Sequence, residues 1–456
     1  MFKVSVIIPA YNYGKYLKQT IESILRQRFT DYEIIVVDDC STDNTTEVLQ
    51  QFIDHPKVRI ITHKENQGFI RSCHEAIKLS SGEYIIRVDA DDYLDENALL
   101  VLSNALDTDP KLGLIYSDYL TVSADGQTIN YVRLPKANEE DKLMDIPANG
   151  AMMMFRKNCY EAVGGYDLSL TCQDGYDLWL KFRQRFAIDN VNLPLFYYRQ
   201  HGANFGKDNG QILNQRQAIK ERQVADEETP RPCILGLIPA RAHDYCDYLV
   251  LKYLGDKPLI TYTIEEVLKT PSLARVVCTT DDEKIATVVQ KSGVEVIMRS
   301  PQLAQEAVQY TILHVLDRLA EDGFHPDGVA LLPPHSPFRK AQHIAEAIDT
   351  MLLFPVDSVV SVCQNVKSLY QHGAYGLTPL FEKKLLRLEK ETLYEENGAI
   401  YLSRVEEITQ ENVLGSKLGH ITMTREDSIR IDSEFDFRLA EQMVKKGKKP
   451  GVENGY

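Results

Sequence analysis

The chain lacks cysteine pairs. Its eight cysteines stand at 40, 73, 159, 172, 233, 246, 278 and 363, and no two form a C-x-x-C. A zinc site or a disulfide framework is therefore not expected, and reduced thiols in a cytoplasmic protein fit the spacing. The chain also lacks any apolar run approaching the ~20 residues that span a bilayer. Its first residues enter a strand at once, without the layout of a signal peptide. Lys445–Lys449 (KKGKK) reads as a solvated tail, not a membrane anchor. Positive charge is in deficit: the net charge of −15 argues against nonspecific binding to nucleic acid, whose phosphates would be repelled. A nucleotide ligand is still possible, because a bound cation can invert the local field. No short-period repeat is present. The 456 residues, 44% hydrophobic and 26% charged, suit a soluble globular chain of about two to three domains.

What is present is concentrated in the first hundred residues. Three apolar runs end in polar or acidic residues: Val4–Pro9 before Ala10-Tyr11-Asn12, Ile34–Val37 before Asp38-Asp39, and Tyr84–Val88 before Asp89-Ala90-Asp91-Asp92. Helical segments fit between them, with Leu17, Ile21, Ile24 and Leu25 on one face of Tyr16–Gln27 and a further helix from Gly68 to Leu79. Such alternation predicts a parallel or mixed sheet flanked by helices. Open α/β sheets bind ligands at the carboxyl ends of their strands, so these acids stand where a nucleotide and a divalent cation would sit. Residues 120–200 are less regular, with a strand at Met152–Phe155, a Gly164-Gly165 turn and a helix at Asp174–Arg185 that buries Leu178, Trp179 and Phe182. The charged, proline-bearing Asp226–Pro232 reads as a boundary, and a second α/β pattern starts at Ile234–Pro239. The expected organisation is α/β, two nucleotide-binding Rossmann-like domains in series: residues 1–226, a linker at 227–232, and residues 233–456.

VSVIIPAYN at 4–12, IIVVDDCSTDNT at 34–45, ENQGFIRS at 65–72 and GEYIIRVDADD at 82–92 together resemble the family 2 glycosyltransferases of GT-A fold, over roughly residues 1–205. The resemblance implies inverting transfer of a sugar from a nucleotide-diphosphate donor, UDP by default, to an acceptor hydroxyl. It implies Mn²⁺ or Mg²⁺, held by Asp91 or Asp92, with Asp89 or Asp91 on the ribose or diphosphate. It further implies that Pro9, Tyr11 and Asn12 lie against the base, that Asp39 hydrogen-bonds it, and that Arg71 supports the nucleotide. Cys40 stands where the family usually has glycine. The acidic motif after the Gly-Gly-Tyr-Asp turn makes Asp174 the candidate base, with Gln173 replacing the common glutamate. The chemistry is consistent: a departing diphosphate gathers negative charge that a carboxylate-held cation can neutralise. Plainer readings stand beside these. An aspartate opening a helix is usually a cap, Asp38 reads equally well as a turn residue only, and Arg71 alone would be a surface arginine. His201 lies where relatives often carry a motif near the diphosphate. Trp179, Tyr197 and Tyr198 read as core or as acceptor-site walls.

From residue 233 to about 445 the motifs change. IPAR at 238–241, GDKPLI at 255–260, TTDD at 279–282, LLPPHSPFR at 331–339, DSVVSV at 357–362, NGAIY at 397–401 and IDSEFDF at 431–437 resemble the cytidylyltransferases that make CMP-sugars. Arg241, Ser336, Arg339, Asn397 and Asp432 match the family's nucleotide-site positions. The phosphate loop, however, reads AHDYCDYL, without the glycine and lysine that would accommodate a triphosphate. Arg430 replaces one carboxylate of the family's metal pair. Lys252 or Lys257 are the cations that would have to compensate. The expectation is a degenerate domain serving for binding or for homodimerisation, as the family dimerises. Two rivals are a bifunctional enzyme that also makes a CMP-sugar and a non-enzymatic scaffold. The partners expected are a nucleotide sugar and a hydroxyl-bearing sugar or glycoconjugate, with no nucleic acid.

Overall fold

The computed structural model describes residues 2–134, 151, 153–201, 209–226, 230–243, 248–365, 370–373, 376–379 and 393–447. The chain divides into two compact units, Met1–Ile219 and Lys220–Tyr456.

The first unit opens with β1 (Val4–Ala10), α1 (Gly14–Leu25), β2 (Tyr32–Asp38), α2 (Thr45–Gln50), β3 (Val58–Thr62), α3 (Phe69–Leu79) and β4 (Tyr84–Arg87). β5 (Tyr93–Leu94), α4 (Ala98–Thr108), β6 (Leu112–Val122), β7 (Thr128–Val132), β8 (Met154–Arg156), α5 (Lys157–Ala162), α6 (Asp174–Arg185) and β9 (Ala187–Arg199) follow, then α7 (Asn209–Asp226). The sheet order is β3-β2-β1-β4-β8-β6-β9-β5, with β7 added to β6. Every residue of β1 is buried, as a parallel strand covered on both faces requires. β1 pairs with β2 so that Ala10 lies level with Asp38, and with β4 so that Ile7 lies level with Arg87. The polar end of β1 and the acidic ends of β2 and β4 therefore finish along one edge of the sheet.

α1 buries Leu17, Thr20, Ile21 and Ile24 against the sheet. Leu25, expected on that face, is only half-buried, and the polar Thr20 takes the core position. Leu178, Trp179 and Phe182 of α6 are buried as expected. The strands β6 and β9 were not legible. β9 reads AIDNVNLPLFYYR, and its parallel pairing with β6 is interrupted by three register shifts, so no clean two-residue alternation survives.

The second unit contains β10 (Ile234–Pro239), the hairpin β11 (Tyr253–Leu254) and β12 (Lys257–Pro258), α8 (Leu259–Leu268), β13 (Leu273–Thr280), α9 (Glu283–Lys291), β14 (Glu295–Met298), α10 (Pro301–Gln305), α11 (Val308–Glu321) and β15 (Gly328–Leu331). α12 (Ala341–Leu353), β16 (Ser358–Asn365), β17 (Tyr370–Gly373), β18 (Gly376–Pro379), β19 (Leu393–Arg404), β20 (Leu418–Met423) and α13 (Glu434–Gly447) complete it. Its main sheet runs β14-β13-β10-β15-β19-β16-β20, and β17 pairs with β18 apart from it. Leu235, Leu237, Val277, Val329 and Leu331 of the sheet pack on Ile312, Val315 and Leu319 of α11. Asp282 caps α9, accepting hydrogen bonds from the Lys284 and Ile285 amides.

The division between the units falls inside α7, earlier than the linker expected at 227–232, of which residues 227–229 lie outside the described residues. Lys220 is buried, its Nζ 3.1 Å from Glu346 and 3.2 Å from Thr350 of α12, which ties that part of the helix to the second unit. Among the described residues no helix is long and apolar enough to cross a membrane.

Candidate active site

The loops after β1, β2 and β4 are stitched together by short polar contacts. Asn12 adopts a left-handed backbone conformation, φ +61°. Its Oδ1 accepts from the Thr42 and Asp43 amides, at 2.7 and 3.3 Å, and its own amide donates to Ser41 Oγ. Asp38 is buried and accepts from the Ser41 amide and the Thr46 hydroxyl, which is the behaviour of a turn residue. Asp39 is also buried. Its Oδ1 accepts from the Gln67 amide at 2.8 Å and faces His63 Nδ1 at 2.7 Å, while Oδ2 accepts from the Gly68 amide at 2.8 Å. Gly68 stands at φ +90°, a conformation that favours glycine. Pro9 is buried at the end of β1 and Tyr11 is exposed beyond it. Arg71 is exposed on α3 and makes no ion pair among the described residues.

His63 was not anticipated. Its Nε2 lies 2.9 Å from Glu75 on the other side of the ring. Burial would lower its pKa, but the two carboxylates outweigh burial and raise it above the usual 6.5. An imidazole that donates to two carboxylates must be an imidazolium.

The acidic turn is anchored from three sides. Thr20 Oγ1 lies 2.9 Å from the Ala90 carbonyl and 2.7 Å from the Asp92 carbonyl. Arg199, buried at the end of β9, donates from its amide to Asp92 Oδ1 and from Nε to the Asp91 carbonyl, both at 2.8 Å. Its guanidinium also reaches Gln19 Oε1 and the Ala124 carbonyl and lies against the rings of Tyr16 and Tyr93. His201 Nε2 lies 2.9 Å from Asp91 Oδ2, and its ring stacks on Tyr16. Asp92 Oδ2 is buried without a hydrogen-bond partner among the described residues. Burial, and then the neighbouring Asp91 and Asp89, raise the Asp92 pKa. Burial likewise raises that of Asp89; Arg87 opposes the shift and Asp91 and Asp174 add to it.

An orphaned buried carboxylate oxygen in a crowd of like charges suits a divalent cation. Among the described residues, however, no three His, Cys, Asp or Glu side chains form a metal cage. The residues fit a Mn²⁺ or Mg²⁺ that takes one or two carboxylates and draws its other ligands from a diphosphate and water.

Asp174 opens α6. The residue before it, Gln173, is left-handed at φ +63° and is held through its side chain by Arg216 Nε at 2.7 Å. The Asp174 side chain does not cap the helix. Its Oδ2 accepts instead from Arg87 Nη1, in a short charge-assisted contact. Arg87 is buried at the end of β4, with Nε 3.1 Å from Asp89 Oδ1 and its guanidinium over the Phe69 ring. Residues 87 positions apart, from β4 and α6, thus meet beside the acidic turn. Arg87 was missed as a site residue. The available signal was a charge inside the apolar run YIIRV, where burial demands a partner. The preceding turn depends on Gly165, at φ +67°, where a Cβ would lie 2.8 Å from the Tyr160 ring.

In the second unit the expected positions serve largely internal contacts. Arg339 is buried and donates to the Ala399 and Pro333 carbonyls and the Thr263 hydroxyl; burial lowers its pKa to about 9. Asn397 Oδ1 accepts from Ser361 Oγ and the Ala399 amide, and its Nδ2 donates to Ser428 Oγ at 2.9 Å. Ser336 is buried and its hydroxyl has no hydrogen-bond partner among the described residues. Arg241 is exposed after β10. Arg430 Nε donates to Asp432 Oδ1 at 2.9 Å and lies over Gly398. Lys252 pairs with Glu434 and Lys257 with Glu265. Residues 244–247 of the altered loop lie outside the described residues. A cleft of about 410 Å³ lies here, lined by Glu395, Glu396, Arg425, Arg430 and Asp432 among others.

Residues 5–162 match the family model for glycosyl transferase family 2, and residues 250–444 match that for cytidylyltransferase. The chain thus joins segments similar to two families of nucleotide-dependent transferases. Over 202 residues it is 30% identical to the chondroitin synthase of Escherichia coli, covering 44% of this chain and 29% of that protein. Over 203 residues it is 30% identical to the hyaluronan synthase of Pasteurella multocida, covering 44% and 21%. Over 119 residues it is 40% identical to glycosyltransferase GlyG of Streptococcus pneumoniae, covering 25% and 39%. The matched segment spans less than a third of either synthase. The crystal structure of S. aureus TarS 1–349 in complex with UDP aligns at 18% identity and a TM-score of 0.42, over 50% of this chain and 67% of that one.

Proposed function

We propose that the first unit is a metal-dependent inverting glycosyltransferase that moves a sugar from a nucleotide-diphosphate donor, a UDP-sugar by preference, to an acceptor hydroxyl. The observation that carries this reading is the meeting of Asp174 with Arg87 and Asp89 at the carboxyl edge of the sheet. An aspartate at a helix start that is not a cap, next to a cluster of carboxylates, has the surroundings of a functional group. In the proposed step Asp174 takes the acceptor proton, the acceptor oxygen bonds to the anomeric carbon, and the bond to the diphosphate breaks with its electron pair on the leaving group. A divalent cation, when bound, would neutralise that charge, and Asp91 and Asp92 would hold it. Pro9, Tyr11, Asn12, Asp39, Arg71 and Asp89 would line the nucleotide site. The relatives named as chondroitin and hyaluronan synthases support a role in making a surface polysaccharide or glycoconjugate.

For the second unit we propose a degenerate cytidylyltransferase-like domain used for binding or for pairing two copies of the chain. The ion pairs that occupy Lys252, Lys257 and Asp432 support this reading, since those groups face protein partners. The test is a thermal-shift panel of UDP, GDP, dTDP, CDP, CMP and CTP, each with and without Mn²⁺. Selective binding raises apparent stability by mass action. A manganese-dependent shift with one diphosphate, lost in Asp91→Ala, is expected. A CTP shift lost in Asp432→Ala would instead favour a bifunctional enzyme, and no shift with any nucleotide would overturn the transferase reading. Asp174→Asn should abolish transfer while leaving nucleotide binding nearly intact, and unchanged transfer would remove Asp174 from the mechanism.

A further inference from the structure

We infer that Arg87 is a positioning residue for the candidate base: it fixes one oxygen of Asp174, leaves the other for the acceptor proton, and registers the base against the donor site. This rests on the proposed transferase reading.

Three contacts make the argument. Arg87 Nη1 holds Asp174 Oδ2, and Oδ1 has no hydrogen bond among the described residues. Nε lies 3.1 Å from Asp89 Oδ1, an ion-pair distance without hydrogen-bond geometry, on the turn that the proposed reading gives to the donor. The guanidinium lies 4.7 Å from the centroid of the Phe69 ring, at the start of the helix whose preceding glycine amide binds Asp39. One rigid planar group therefore touches the base, the acidic turn and the helix beside the nucleotide loop. Arginine can do this because its donors diverge in a fixed fork, whereas lysine presents a compact point charge. A buried arginine placed only to balance charge would not need to divide the two oxygens of a single carboxylate. Because Asp174 sits behind a left-handed residue at a helix start, α6 alone does not determine where its carboxylate points.

The discriminating substitution is Arg87→Lys, which keeps the charge and loses the fork. UDP and Mn²⁺ are the binding probes, by calorimetry, and UDP release from a panel of UDP-sugars is the turnover assay on the full chain. We expect kcat to fall by roughly 10- to 100-fold, as a small misplacement of a reacting group costs. The dissociation constant for UDP and the donor KM should stay within about twofold, since the effect is on the reacting geometry. In an Asp174→Asn background, Arg87→Lys should change residual UDP release little, because residues acting as a unit are not additive. An unchanged kcat in Arg87→Lys, or an equal loss in both backgrounds, overturns the inference. Loss of UDP binding in Arg87→Lys also overturns it, placing Arg87 in donor binding. Failure of the wild-type chain to bind UDP, or full activity of Asp174→Asn, refutes the transferase reading and this inference with it. Should Arg87→Lys lower the melting temperature, Arg87→Gln, which keeps a planar donor, provides the second variant. Its amide nitrogen takes the place of Nε and stops short of Nη1, so it loses the contact to Asp174 Oδ2, and its kcat should fall at least as far as that of Arg87→Lys while UDP binding is retained.

Discussion

Replacing Thr20 by valine would test whether the acidic turn owes its shape to α1. The Thr20 hydroxyl has one proton, and it lies within 3 Å of the Ala90 and Asp92 carbonyls while its residue is 1% exposed. Valine fills almost the same volume but removes the donor, leaving buried carbonyl oxygens without it and with no route to water. Such a loss costs about 1–3 kcal/mol. For a unit of this size about 2–4 °C of melting temperature follows each kcal/mol, so the first unit should melt roughly 2–12 °C lower. The cost falls on the turn, and therefore Mn²⁺-dependent UDP binding should weaken by more than UDP binding without metal. Thr20→Ser, which restores the hydroxyl, should recover most of both losses. Calorimetry of the full chain, with the two transitions assigned from their nucleotide dependence, measures the effect. If Thr20→Val melts like wild type and binds UDP with Mn²⁺ equally well, the turn is held by Arg199 and His201 without Thr20 and the reasoning fails.

Two pH effects follow from buried groups. His63 has a folded pKa above its ordinary 6.5, so its contribution to stability is complete below that value and declines as pH rises through the higher folded pKa. The first unit should lose stability as pH rises above 6.5, and His63→Asn should flatten that slope; denaturant melts on either side of the transition would show it, and an unchanged slope would refute it. Asp349 in the second unit is pushed up to about 6, chiefly by burial. Its ionisation therefore opposes folding as pH rises from its unfolded value through 6, and Asp349→Asn should stabilise the second unit at pH 7 by about 3 kcal/mol and far less at pH 4. Equal gains at the two pH values would count against it.

Much of the layout was legible in the sequence. The apolar runs at Val4–Pro9, Ile34–Val37 and Ile234–Pro239 are strands, because buried parallel strands are uniformly apolar and need no distant partner to be recognised. Asp174–Arg185 is a helix with the residues expected to be buried in the core, because a helical face is written at short spacing. The clustering of acids at strand ends also followed from order alone. β6 and β9 escaped, since a bulged strand with polar residues and a proline carries no clean period.

The tertiary structure decided the rest. Only folding brings Arg87 to Asp174, His63 between Asp39 and Glu75, and Arg199 to the turn at Asp91-Asp92. Only folding occupies Lys252, Lys257 and Asp432 with neighbours. Sequence determines which chemical groups exist and which local period they follow. The charge state, orientation and free valence of a buried group depend on partners far along the chain, through interactions whose strength is set by the desolvation that burial creates.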